Sequence, residues 1–144
     1  MNHEYTHAVV GSIVTLDSND EPRELNEAFA DLFAIFSTGD TQWQMNAPPN
    51  QDGYTVIRNI AEPESGYPRR YDERYCDRDS LLCLRKCPKE IGSYPYKESY
   101  SDCGHVNSLV FSRAAFLMYS NSGGGIPMSK LQHLYYQTLI NEKI

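Results

Sequence analysis

The sequence predicts a mainly α-helical domain that carries one long cysteine-bearing loop. Apolar residues recur at helical spacing near both ends of the chain, whereas the centre is irregular and contains all four cysteines. The 144 residues suit a single domain or one lobe of a larger protein. We therefore expect one unit over residues 1–144, with a helix hairpin at 2–38, an irregular cysteine-bearing region at 39–104 and C-terminal helices at 105–144.

The hairpin is predicted from two stretches in which apolar side chains share one helix face. The first helix covers about residues 2–16 and the second about residues 23–36. Between them, DSNDEP at 17–22 is typical of a turn, because Asp, Ser and Asn side chains bond to their own backbone. Gly39 and Asp40 are expected to end the second helix.

The rest of the chain is predicted to contain one extended piece and two further helices. YTVIRNI at 54–60 favours a short extended segment. A third helix is expected at about 108–120, and a fourth at about 130–143 with Ser129 as its cap.

Composition disfavours several classes of partner. The formal net charge is −6, and no Arg- or Lys-rich stripe is present, so no nucleic acid partner is expected. No run approaches the roughly 18 consecutive apolar residues that a membrane span needs. The first residues also lack the pattern of a signal peptide.

The four cysteines, Cys76, Cys83, Cys87 and Cys103, all lie in the irregular region. An even number in a segment rich in Tyr and Pro favours two disulfides over free thiols. A second zinc site is the alternative, although the spacing contains no CxxC pair. The sequence leaves the pairing open. Two disulfides indicate a secreted or extracellular protein whose export signal lies outside this chain.

The pentapeptide HEYTH at residues 3–7 is the strongest chemical motif. His3 and His7 lie one helical turn apart, so both imidazoles can hold one zinc ion, and Glu4 lies beside them. Such pentapeptides also arise by chance, so a third ligand is needed to make a zinc site convincing. Glu27 is the candidate because the hairpin brings its helix face, which Asp31 shares, against the two histidines.

HEYTH followed at this interval by NEAFAD resembles the thermolysin-like neutral zinc metallopeptidases (gluzincins, peptidase family M4), whose signature is HExTH and then NExxxD. The segments at 56–63, 102–118 and 129–140 are similar to segments of that family in the same order, whereas residues 67–100 diverge. The resemblance implies the fold of the helical C-terminal catalytic lobe of a thermolysin-like peptidase.

By this resemblance, His3, His7 and Glu27 bind Zn²⁺, and zinc is the cofactor. Glu4 is expected to act as the general base, and His105 to donate a hydrogen bond to the tetrahedral oxyanion.

The resemblance also assigns supporting roles. Asp31 and Asn26 are expected to orient the ligand histidines. Arg58 is expected to hold a substrate carbonyl oxygen and to brace Glu27, and Asn107 to contact the substrate backbone. For Arg58 and Asn107, an ordinary ion pair and a helix cap are the alternatives.

The chain departs from the family at three points. Ser18 stands where the family has a tyrosine that donates to the oxyanion. After the second helix only Asp40 and Asp52 are acidic within residues 37–53, so the family's paired calcium site is not expected. The family's N-terminal β-rich lobe, whose strand edge binds extended substrate, is expected to be absent.

The leading functional hypothesis is a zinc metalloendopeptidase, a hydrolase that cleaves peptide or protein substrates beside bulky apolar residues. Its expected partners are the substrate and the missing N-terminal lobe or a propeptide. The sequence leaves open whether the chain is active alone, so the alternative is a zinc-binding but catalytically incomplete fragment or homologue. A third hypothesis is a disulfide-rich binding module in which the HExxH pattern occurs by chance.

Overall fold

The computed structural model describes residues 2–16, 20–46, 56–63, 66–76, 85, 90–91, 98–99, 103–120 and 124–141. The elements are α1 (His3–Ile13), α2 (Asp20–Thr38), β1 (Gln44–Asn46), β2 (Val56–Asn59), β3 (Glu90–Ile91), β4 (Glu98–Ser99), α3 (Gly104–Tyr119) and α4 (Met128–Asn141). A short 3₁₀ helix, Tyr71–Glu73, lies between β2 and β3. The predicted mainly α fold class is confirmed. Among the described helices, none has the length and apolar character to cross a membrane.

Helix α1 is fixed at its start by Asn2, whose side-chain oxygen accepts the backbone N–H of Tyr5 at 2.7 Å. The helix ends at Ile13, because Val14 has extended backbone angles, φ −140° and ψ 140°. The predicted end at residue 16 was therefore three residues too late. The β-branched pair Val14 and Thr15 gains little from a further helical turn.

Helix α2 begins at Asp20, three residues before its predicted start. Pro22 is tolerated there because the first-turn N–H groups have no partner within the helix. The predicted stop is confirmed: Gly39 adopts φ +66°, and its N–H donates to the carbonyl of Ile35 at 2.9 Å. Residues 17–19 of the predicted turn lie outside the described residues.

The central region contains more regular structure than the sequence predicted. The extended piece at 54–60 corresponds to β2, which pairs antiparallel with β1 so that Met45 lies opposite Arg58. β3 and β4 form a second antiparallel pair. Strands of two to four residues are too short for alternation to reveal them. The first pair positions Arg58 beside α2.

Helix α3 begins at Gly104, four residues before the predicted start, so His105 and Asn107 both lie in its first turn. Helix α4 begins at Met128 and includes Ser129, which therefore does not cap it. The carbonyl of Pro127 instead accepts the N–H groups of Lys130 and Leu131, both at 3.0 Å.

The core lies between α2, α3, α4 and the loop that follows α2. Its fully buried side chains include Leu32, Ile35, Trp43, Ile60, Leu109 and Leu131. The Trp43 ring packs against Phe36, Phe116 and Tyr119 with ring centroids 5.2–6.0 Å apart. With one face of α2 held in this core, the side chains of Glu27 and Asp31 are directed toward α1.

The described cysteines are both oxidised: Cys76 and Cys103 are disulfide-bonded. No free cysteine occurs in the described part of the chain. Cys83 and Cys87 lie outside that part, so the two disulfides expected of the four cysteines stay a prediction, and their pairing stays open.

Candidate metal centre

Three side-chain donor atoms converge where α1 packs on α2. The Nε2 atoms of His3 and His7 lie 3.0 Å apart, and their rings meet edge to face. Oε2 of Glu27 lies 3.1 Å from His3 Nε2 and 3.5 Å from His7 Nε2. Helical spacing brings the two histidines together, because His3 and His7 are one turn apart and point from the same face of α1. The packing of α1 on α2 adds Glu27.

The donor atoms open into a cleft of about 520 Å³. The cleft is lined by His3, Glu4, His7, Leu16, Arg23, Asn26, Glu27 and His105. Glu4 is exposed, whereas the Glu27 side chain is only 11% exposed. A solvent-facing carboxylate therefore lies beside a buried one in the same cleft.

Behind His3, a buried ion pair fixes the imidazole. Oδ1 of the fully buried Asp31 lies 2.7 Å from His3 Nδ1. Arg58 donates two hydrogen bonds to the same carboxylate, from Nε at 2.7 Å and from an Nη atom at 2.8 Å. Burial opposes ionisation of Asp31, but the charge and hydrogen bonds of Arg58 hold the pKa of the carboxyl below its usual value. An ionised carboxylate only accepts, so His3 donates from Nδ1.

His7 is held in a similar way by a neutral partner. Its Nδ1 lies 3.1 Å from the side-chain oxygen of Asn26 on α2. Asn26 and Asp31 thus contact the ring nitrogens of His7 and His3 that face away from Glu27. These contacts favour the tautomer in which each Nε2 carries a lone pair.

The electrostatics of the cluster favour the protonated form of His3 and the ionised form of Glu27. Burial opposes protonation of His3, but the neighbouring carboxylates of Asp31 and Glu27 raise the pKa of the imidazole to about 9. Burial likewise opposes ionisation of Glu27, yet His105 and His3 hold the pKa of this carboxyl far below its usual range. The carboxylates of Glu27 and Asp31 therefore favour a positive charge at the point where the three donor atoms meet.

The donor set fits a zinc ion. Ligand atoms 2.0–2.1 Å from a tetrahedral zinc are about 3.3 Å apart, and the three separations here are 3.0, 3.1 and 3.5 Å. Oε2 of Glu27 is buried and has no correctly directed hydrogen bond among the described residues. A metal ion would satisfy this oxygen and both imidazole lone pairs together. Two histidines and one glutamate, with a fourth position left open, match the ligand set of a catalytic zinc site.

His105 reaches the same centre from α3. Its Nε2 lies 3.1 Å from Oε2 of Glu27, and its ring stacks against that of His3 with centroids 6.4 Å apart. The His105 side chain is 33% exposed, so one face of the ring remains open to the cleft.

Comparison with known proteins decides the family. Residues 15–143 match the family described as thermolysin metallopeptidase, alpha-helical domain. The chain belongs to this thermolysin metallopeptidase family. The resemblance drawn from the motifs is thereby confirmed. The matched range contains Glu27 and His105 but begins after HEYTH.

Relatives of the chain include neutral protease NprE of Bacillus pumilus and bacillolysin of Bacillus subtilis (strain 168), each 27% identical over 139 residues. These alignments cover 95% of this chain. The chain spans only 39% of the length of the first relative and 22% of the second. No solved structure matched the chain.

Two residues to which the thermolysin resemblance assigned substrate contacts have internal partners. Arg58 is 8% exposed and holds Asp31. Asn107 is 3% exposed and donates from Nδ2 to Glu24 at 2.8 Å and to the carbonyl of Tyr75 at 2.6 Å. Contact of either residue with substrate stays a prediction. Asn107 would have to exchange one of these partners to make it.

Arg23 and Leu16, which line the metal cleft, were not identified from the sequence. Arg23 was recoverable, because it lies four residues before Glu27 on α2 and so shares its helix face. Leu16 was assigned to a helix that ends before it. Ser18, the position of the missing tyrosine donor, lies outside the described residues.

Proposed function

We propose that this chain is the metal-bearing lobe of a zinc-dependent endopeptidase. The observation that carries the proposal is the convergence of His3 Nε2, His7 Nε2 and Glu27 Oε2 in an open cleft that Glu4 also lines. Membership of the thermolysin metallopeptidase family supports the same reaction class. When bound, zinc would supply Lewis-acid chemistry and would lower the pKa of a water molecule to about 7.

In this proposal, the residues of the chain move protons and stabilise charge. Glu4 accepts a proton from the water that attacks the peptide carbonyl carbon, and returns it to the leaving amine as the C–N bond breaks. His105 donates a hydrogen bond to the oxyanion that develops on the carbonyl oxygen. Asp31 and Asn26 keep both ligand imidazoles in the tautomer that binds metal.

The substrate in this proposal is a peptide or protein, and we infer an extracellular site of action. The disulfide bonding of Cys76 and Cys103 supports an oxidising compartment. The two disulfides expected from the four cysteines belong to the same proposal.

Zinc content and hydrolysis together test the proposed function. The 144-residue chain, dialysed against zinc, should hold one equivalent of metal and hydrolyse casein or a furylacryloyl dipeptide. Glu4→Gln should keep the metal and lose hydrolysis by at least 100-fold, which is the lower end of what a general base contributes. Glu27→Ala should lose both. The matched control is Glu62→Gln, because Glu62 is exposed and its carboxylate pairs only with Arg69 among the contacts described.

Zinc binding without turnover is the second candidate function. The observation that favours it is length: the chain spans only 22–39% of the length of these relatives, which are much longer proteins. One equivalent of zinc with no hydrolysis of either substrate would support this candidate. Absence of stoichiometric zinc, with Glu27→Ala indistinguishable from the unaltered chain, would overturn both.

A further inference from the structure

A buried polar cluster lies behind the metal cleft, formed by Glu24, Asn107, Arg74 and Tyr75, and we name it the anchor cluster. Glu24 and Asn107 are 5% and 3% exposed. The Glu24 carboxylate accepts from Asn107 Nδ2 at 2.8 Å and from an Nη atom of Arg74 at 2.6 Å. Asn107 also accepts the N–H of Tyr75 at 2.8 Å and donates to its carbonyl at 2.6 Å.

The anchor cluster joins three parts of the chain that are distant in sequence. Glu24 lies on α2, one turn before Glu27, and Asn107 lies on α3, two residues after His105. Arg74 and Tyr75 belong to the segment that follows the 3₁₀ helix. The cluster therefore ties α2 to α3 within about one turn of the contact between Glu27 and His105, which is 3.1 Å.

The first turn of α3 is joined to the rest of the chain through this tie. Cys103, at the N-cap position, makes no side-chain hydrogen bond to the helix. Asn107 instead uses its side chain for bonds to α2 and to Tyr75, so tertiary contacts hold the turn that carries His105. Buried hydrogen bonds to a charged group are strong and directional, which suits a positioning role.

The segment that carries Arg74 is itself held firmly. The Arg74 guanidinium lies 3.7 Å from the centroid of the Tyr71 ring, and its Nε donates to the carbonyl of Tyr71 at 3.2 Å. The Tyr71 hydroxyl donates to Glu21 on α2 at 3.0 Å. Arg74 thus reaches Glu24 from a segment that is attached to the same helix.

We propose that Glu24 and Asn107 are positioning residues that hold His105 against Glu27 by tying the first turn of α3 to α2 and to Tyr75. Neither residue lines the cleft among the described residues, so the role proposed for them acts through His105. The expected effect of these residues on catalysis rests on the proposed function. Their effect on the placement of His105 does not.

The first experiment reads the placement of His105 in the metal-free 144-residue chain. Imidazole ¹H–¹⁵N correlation spectra at one pH are compared for the unaltered chain, Asn107→Leu and Glu24→Gln. We expect the His105 signals to move in both variants toward those of His133, which is exposed on α4 and serves as internal reference. Arg70→Gln is the matched control, because its ion pairs with Asp72 and Glu73 are exposed and lie outside the anchor cluster.

Unmoved His105 signals in the folded variants would overturn the proposal, even if their thermal stability fell, because a merely structural cluster lowers stability alone. Glu24→Gln keeps the shape of the side chain and an oxygen acceptor, so it decides the matter if Asn107→Leu does not fold. A smaller movement of the signals in Glu24→Gln than in Glu24→Leu would support the proposed hydrogen-bonded tie, because glutamine keeps an oxygen acceptor and leucine does not.

The second experiment uses the zinc-loaded chain. Asn107→Leu and Glu24→Gln should lower kcat at least 10-fold, with KM changed less than threefold and one equivalent of zinc retained. Equal losses in kcat and zinc content would overturn the positioning role, because they indicate general collapse of the site. If the unaltered chain hydrolyses nothing, the proposed function fails, and the imidazole spectra alone decide the placement of His105.

Discussion

Asp31 shows at the scale of a residue how a buried charge can support a metal site. Its carboxylate is completely buried and holds Arg58 and His3 at the same time. Asp31→Asn keeps the shape but removes the counter-charge of a buried guanidinium, a change that costs on the order of 3–5 kcal/mol. We also expect zinc affinity to fall 10- to 100-fold, as when a partner of a ligand histidine is lost.

Urea unfolding of the metal-free chain and a zinc competition titration measure these two effects of Asp31→Asn. Glu62→Gln is the control, because its ion pair with Arg69 is exposed at both side chains, 41% and 70%, and such pairs contribute about 0–1 kcal/mol. If Asp31→Asn unfolded no more readily than Glu62→Gln, the buried ion pair would not have the proposed role.

Asn26 is predicted to contribute less than Asp31. Its neutral side-chain oxygen faces His7 Nδ1 at 3.1 Å, a longer contact than the 2.7 Å between Asp31 and His3. Asn26→Ala should lower zinc affinity about 10-fold, the smaller end of the usual range for such a partner. Asn26→Asp keeps an acceptor for His7 and should retain the affinity in the same titration. A loss of equal size in both variants would contradict this account.

The placement of single residues could be predicted from the sequence where helical spacing puts them on one face. HEYTH and NEAFAD each place two side chains on one helix face, and the structure brings His3, His7 and Glu27 into one cluster. The contact between Glu24 and Arg74 spans 50 residues, and that between Glu24 and Asn107 spans 83. No local period connects residues at such separations, so the anchor cluster could not be predicted.

Among the elements, α1 carries two donor residues on a short helix with few buried side chains. Only Thr6 and Val10 are fully buried in its eleven residues, and Asn2 caps its first turn. Asn2→Ala should destabilise the helix by about 1 kcal/mol, and Asn2→Asp should keep the cap. Amide hydrogen exchange of the α1 residues measures the change. Unchanged exchange in Asn2→Ala would show that tertiary contacts alone hold this helix.

Element identity followed from the sequence more readily than element ends. All four predicted helices exist, because each carries apolar residues over several turns. Their starts and ends moved by one to four residues where tertiary contacts or caps overrode local preference. Gly104 and His105 are weak helix formers that open α3 nonetheless, since Asn107 holds this turn to α2.

The whole molecule depends on the packing of α3 against α2. Leu109 and Leu117 lie on the same helix, but Leu109 is 0% exposed and Leu117 is 42% exposed. Leu109→Ala should therefore lower the free energy of unfolding by about 2–5 kcal/mol through the cavity that it leaves. Leu117→Ala, the same chemical change at the surface, should stay within about 0.5 kcal/mol. Equal effects in urea unfolding would mean that α3 does not complete the core.

The arrangement of the donor residues predicts how metal binding spreads through the molecule. His3 and His7 lie on α1 and Glu27 on α2, whereas α4 supplies no donor to the described cluster. A ligand at 100 times its Kd stabilises the state that binds it by about 2.7 kcal/mol, a factor of roughly 100. Because α1 has few buried side chains, we expect it to open more easily than the core, and zinc should slow its amide exchange up to about 100-fold. The α4 amides that exchange by local opening should change little.

Hydrogen exchange with and without zinc tests this distribution, with Glu27→Ala as the control whose α1 amides should not respond. Equal slowing in α1 and in the locally opening amides of α4 would contradict the prediction, because it would mean that the metal reports only on global unfolding. A response confined to α1 and the facing residues of α2 would instead identify the hairpin as the unit that the metal stabilises. The core formed by α2, α3 and α4 would then be stable without metal, and zinc would complete only the part of the fold that carries the chemistry.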